Sequence, residues 1–60
     1  MRLTTHIRKA EDGRLSLTVS EFPELEVDAR NVEEIPEVVQ QAASKLTGRK
    51  EEEFDVDVRF

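Results

Sequence analysis

Sixty residues hold one small domain, expected to span 1–60, and 14 acidic against 9 basic side chains leave a net charge of −5. Cysteine is absent, which excludes disulfides, thiolate metal sites and cysteine nucleophiles. The longest uninterrupted apolar run is two residues, so the sequence contains neither a membrane-spanning helix nor a signal-peptide block, and a cytoplasmic location is expected.

Leu, Ile, Val and Phe supply 17 of the 60 residues, enough for a core but a small one. Chains this short often gain buried surface from a second copy, so a homodimer is expected. Leu3, Thr5 and Ile7 alternate with Thr4, His6 and Arg8, the period of a half-buried strand. Glu11-Asp12-Gly13 supplies a tight hairpin turn, because Asp-Gly tolerates positive φ. Leu15, Leu17 and Val19 then alternate with Arg14, Ser16 and Thr18 in a second strand, antiparallel to the first. Ser20-Glu21-Phe22-Pro23-Glu24 interrupts the pattern, since Pro23 has no N–H for a ladder. Leu25, Val27 and Ala29 mark a third strand, alternating with Glu24, Glu26, Asp28 and Arg30.

At Asn31 the period changes to that of a helix. Val32, Ile35, Val39, Ala42 and Leu46 form an apolar stripe widened by Val38, with Asn31 as N-cap and Gly48 just past the end. Pro36 comes too late for the first helical position after Asn31, so either the opening turn is distorted or the regular helix starts near Pro36. After a charged connector, Phe54, Val56, Val58 and Phe60 alternate with Asp55, Asp57 and Arg59 in a last strand.

The expected fold is therefore α+β, with element order β-β-β-α-β. The third and first strands run parallel, and a helical crossover carries the fourth strand to the free side of the first. This gives a four-stranded sheet of order 3-2-1-4 with one helix on one face. The opposite face is expected to carry Arg2, Thr4, His6, Arg8, Arg14, Ser16 and Thr18 in its middle, with Glu24, Glu26, Asp28, Asp55 and Asp57 on its margins.

Catalytic constellations are poorly served. Asp28, Asp55 and Asp57 project to one side, but no central-strand carboxylate completes a metal site, and charge is the ordinary guard of an edge strand. His6 has no nucleophile in an elbow motif, and Gly13 and Gly48 read as turn and cap residues rather than a phosphate loop. No catalytic residue, metal or cofactor is expected. An alternative reading is a nucleic-acid-binding regulator using Arg2, Arg8 and Arg14 as a basic stripe, although the negative net charge and the missing aromatics oppose it.

The whole chain resembles the HicB-like antitoxins. The likeness is carried by the opening strand, the Glu11-Asp12-Gly13 turn, the Leu15–Val19 strand and the Phe22-Pro23-Glu24-Leu25 segment. It continues through Asp28 to Val39 into the helix and ends with Glu53 to Val58. The resemblance implies a partial RNase H-like fold without nuclease activity, which neutralises a small basic HicA-type ribonuclease by occluding its active site. Typical members add a C-terminal DNA-binding part, and this chain is expected to be a single-domain member lacking it. The candidate partner-binding segment is Glu21, Phe22, Pro23, Glu24 and Glu26, an irregular stretch beside an outer strand that mixes an aromatic, a proline and carboxylates. Pro23 stiffens it and the carboxylates suit a basic partner.

Overall fold

The computed structural model describes residues 1–59. In chain order the elements are β1 (Arg2–Glu11), β2 (Arg14–Val19), β3 (Phe22–Ala29), α1 (Ile35–Thr47) and β4 (Asp55–Arg59). Short 3-10 turns at Val32–Glu34 and Glu51–Glu53 flank the helix. The sheet order is β3-β2-β1-β4, as the sequence predicts, with β1 antiparallel to β2 and parallel to β4. Phe60, which the alternation adds to the last strand, lies outside the described residues.

Local chemistry explains each junction. Asp12 and Gly13 both take positive φ, 50° and 73°, which closes a two-residue hairpin with Glu11 opposite Arg14. The helix begins in two steps. Asn31 is extended, and its side chain accepts a 2.9 Å hydrogen bond from the Glu34 N–H, capping the 3-10 turn. The α-helix then starts at Ile35 with Pro36 in its first turn, where the missing N–H has no partner to lose. Gly48 ends it at φ 77°, its N–H donating to the Ser44 carbonyl at 2.8 Å.

Leu3, Leu17, Val19, Val27 and Ala29 from the sheet meet Ile35, Val39 and Ala43 from the helix, with Phe54 closing the core ahead of β4. The helical contribution differs from the predicted stripe. Ala43 is fully buried, whereas Val32 and Leu46 are 49% and 46% exposed. Val32 sits in the 3-10 turn, outside the α-helical phase assumed for it. The buried line is 35, 39 and 43.

Two irregularities in the ladder also depart from the alternation. Between Ile7 and Lys9 the β1–β2 register shifts by one residue, with Arg8 as the extra residue. Past this bulge Lys9 falls opposite Ser16 and Ala10 opposite Leu15, so Lys9 joins the open face and Ala10 leaves it. The second irregularity lies in β3, which begins at Phe22 rather than Leu25. Ser20 and Glu21 make the turn, Val19 pairs with Phe22, and the ladder resumes only at Thr18 opposite Glu26. Pro23 thus lies inside the strand, within the register shift, where no ladder hydrogen bond is required of it.

Thr5 is the one buried polar residue among those described, fully inaccessible at the centre of β1, and its hydroxyl has no hydrogen-bond partner. Replacing an unsatisfied hydroxyl by a methyl group of the same shape removes a desolvation cost. Thr5→Val is expected to raise unfolding stability by about 1 kcal/mol, measured by denaturant titration.

Candidate functional site

The peptide groups of β1 alternate in direction, and that alternation locates the first feature of the site. The Thr4 carbonyl accepts from the Ser20 N–H at 2.9 Å, so the Thr4 N–H also points toward β2. β2 has already ended at Val19, and the Thr4 N–H would lack a backbone acceptor there. The Glu21 carboxylate fills the place: Oε1 accepts from the Thr4 N–H at 2.7 Å and Oε2 from the Thr4 hydroxyl at 3.2 Å. Glu21 therefore continues the ladder with its side chain. The Thr4 N–H is the main cause holding the Glu21 carboxyl below the usual range, opposed by partial desolvation and aided by Glu21's own N–H, the Thr4 hydroxyl and, least, the nearby His6 ring. His6 Nε2 lies 3.1 Å from the Ser20 hydroxyl, which ties the same turn to β1 a second time.

The rest of the predicted partner segment divides between core and solvent. Phe22 and Leu25 are half-buried and pack against the core, while Pro23, Glu24 and Glu26 are exposed. Of the five residues in that segment, Glu21 and Phe22 have structural work, and Pro23, Glu24 and Glu26 face solvent along β3. The sequence reading omits Asp28 from this group. It lies opposite Ser16, exposed, on the same open face as Glu26. Strict alternation along β3 was the signal that joins the two.

β3 is an outer strand, and its free side can be worked out from pairing. Since the Ser20 N–H turns toward β1, the peptide groups of Leu17 and Leu15 turn toward β3, and their partners Val27 and Ala29 turn inward. The peptide groups of Glu26 and Asp28 are left on the outer edge. Among the described residues, no ion pair engages Glu24, Glu26 or Asp28; those present are Lys9–Glu11, Arg49–Glu53 and Arg59–Asp57.

The three arginines of the alternative reading do not gather. Arg2 lies opposite Asp55 at one end of β1, and Arg14 lies opposite Glu11 at the other, about 30 Å apart at ~3.3 Å per residue. Arg8 occupies the bulge beside Lys9, and these two cations flank an open groove of ≈ 300 Å³ whose other lining includes Ser16, Thr18, Glu26 and Asp28. Asp28 and the pair Asp55 and Asp57 stand on opposite margins of the sheet, three strand spacings or about 14 Å apart. Among the described residues, no three His, Asp or Glu side chains gather in a way that could hold a metal ion. No described helix is long and apolar enough to cross a membrane.

Neither a protein-family model nor a curated protein nor a solved structure matches this chain significantly.

The Glu21 clamp has a testable pH signature. The folded state holds this carboxyl below its ordinary range, so its contribution is complete above that range and is lost as pH falls through the lowered value. Glu21→Ala is expected to destabilise the fold by about 0.5–1 kcal/mol at pH 7, at the low end because water reaches the carboxylate. The gap to the unaltered chain should close on acidification, as followed by thermal melts across pH 2–7.

Proposed function

We propose that this chain is a non-enzymatic protein-interaction domain of the HicB-like antitoxin type, built on a partial RNase H-like fold. In this reading it acts as a cytoplasmic homodimer and binds a small basic partner, a HicA-type ribonuclease or a diverged equivalent, covering that partner's active site.

The observation that carries the reading is the outer edge of β3. Glu24, Glu26 and Asp28 hold exposed carboxylates outside any described ion pair, beside the unpaired peptide groups of Glu26 and Asp28. A free strand edge offers backbone hydrogen bonds to an added strand, and the carboxylates along it select for a cationic one. The Phe22–Leu25 stretch is stiffened by Pro23 and held by two half-buried side chains packed against the core, so little ordering entropy is lost on binding. Nothing comparable supports nucleic-acid binding, because Arg2 and Arg14 are separated by the length of the sheet and Arg8 and Lys9 share their groove with Glu26 and Asp28.

Charge reversal at the exposed positions tests this directly. A Glu24→Lys/Glu26→Lys chain is expected to keep its melting temperature while its association rate with a small basic ribonuclease of the HicA type falls roughly tenfold or more, measured by stopped-flow at low salt. Unchanged association in a chain that still folds would move the interface off β3. Incubation of the chain alone with RNA or DNA and Mg²⁺ or Mn²⁺ is expected to release no cleavage products. Metal-dependent cleavage that disappears in Asp55→Asn or Asp57→Asn would overturn the non-enzymatic reading.

A further inference from the structure

The second outer strand, β4, differs in chemistry from the first. The Asp55 N–H donates to the Met1 carbonyl at 2.7 Å, so the peptide groups of Asp55, Asp57 and Arg59 turn toward β1. Those of Val56 and Val58 turn outward, and no described strand pairs with them. The strand contains no proline, and its pairing with β1 runs without a bulge. Its open-face side chains read acid, acid, base: Asp55, Asp57, Arg59.

We propose that β4 pairs antiparallel with β4 of a second copy, about a two-fold axis through Asp57, to give one continuous eight-stranded sheet with both helices on the same face. This inference deepens the homodimer part of the proposed function and does not depend on the basic partner.

The register follows from three requirements. Hydrogen bonds across a new antiparallel pair must join residues whose peptide groups point outward, here Val56 and Val58. Full overlap of a five-residue strand with its copy then places Val56 opposite Val58 of the second copy, twice over, with four backbone hydrogen bonds. The same register sets Asp55 opposite Arg59 of the second copy, also twice, so the charges on the edge become cross-strand pairs. Asp57 meets its own counterpart at the axis, but each Asp57 already holds its own Arg59 at 3.0 Å, which offsets that like contact.

On the core side, half-buried Val56 and Val58 cover each other across the seam. β3 cannot associate this way. Within the strand its exposed series Glu24, Glu26, Asp28 has no cation, so pairing the ladder residues Glu26 and Asp28 with a copy sets carboxylate against carboxylate, and its Pro23-containing irregularity shortens the ladder. Self-association is thereby assigned to β4, and β3 stays open.

A charge-swap experiment reads this register specifically. In Asp55→Arg, positions 55 and 59 are both Arg; in Arg59→Asp, both are Asp. Each variant alone sets like charges opposite each other, and its dimer dissociation constant is expected to rise roughly tenfold or more in analytical ultracentrifugation. Mixing the two variants restores opposite charges at both positions, and a heterodimer of near-original affinity is expected.

Because the natural chain lacks cysteine, Asp57→Cys gives a second readout. Directly opposed residues that exchange no backbone hydrogen bonds lie ~4.5 Å apart at Cα, within disulfide reach. Copper–phenanthroline oxidation should link Asp57→Cys chains into dimers and leave Asp28→Cys chains unlinked.

Circular dichroism melts establish that each variant folds, and recovery on mixing excludes simple misfolding as the cause of a lost dimer. An unaltered chain that stays a folded monomer through the micromolar range overturns the homodimer itself. A dimer that resists both charge variants and does not cross-link at position 57 overturns the β4 seam while leaving self-association through another surface.

Discussion

The parallel pairing of β1 with β4 is the constraint on which the rest of this structure depends. Neighbouring antiparallel strands need only a two-residue turn, and the chain makes both such connections with two residues. β3 and β4 both run parallel to β1 and stand at opposite margins of the sheet, so the segment joining them must cross a face. A 13-residue helix rises about 20 Å, close to the length of a five- or six-residue strand, and returns the chain to the end where β4 must start. The crossing therefore supplies the only α-helix among the described residues. It also decides which face is core and which stays open.

Within that frame, single-residue irregularities redirect the chemistry of the open face. Without the extra residue at Arg8, Lys9 would point toward the core side and Ala10 toward the open face. With it, Arg8 and Lys9 stand side by side across β2 from the carboxylates of β3. The shift at the start of β3 acts differently. It lets Pro23 remain in a strand and gives Phe22 and Leu25 half-buried places against the core. Glu21 then completes the sheet where β2 runs out, using a carboxylate where a peptide carbonyl would otherwise stand.

The two outer strands solve the problem of unpaired backbone in opposite ways. Within its printed bounds β3 carries acids without a base on its exposed side, which in the proposed reading disfavours a copy of itself and suits a cationic chain. β4 carries acids and one base at a spacing that becomes complementary under two-fold rotation. Under the two proposals above, self-pairing and a basic partner would use opposite margins of one sheet.

The element types and their order were legible from sequence, because each rests on neighbours in the chain. Alternation over Leu3–Ile7 and Leu15–Val19, positive φ at Asp12-Gly13, the Asn31 cap and the Gly48 terminus are all set within a few residues. Sheet order followed too, since few crossovers satisfy three antiparallel-compatible strands, one helix and a last strand. The exposed carboxylates of Glu24 and Glu26 were likewise visible in the pattern.

Other features depended on residues far apart in the chain. The bulge at Arg8 appears where seven residues of β1, 5–11, pair with the six of β2, an excess that neither strand shows alone. Glu21 became a structural clamp because β2 stops one position short of the Thr4 N–H, which depends on where two strands end in space. Ala43 entered the core while Val32 and Leu46 left it, because a 3-10 opening turn and a finite sheet determine which helical positions meet a partner. Hydrophobic periodicity reports which face of an element is apolar; only tertiary packing determines how much of that face finds something to cover it.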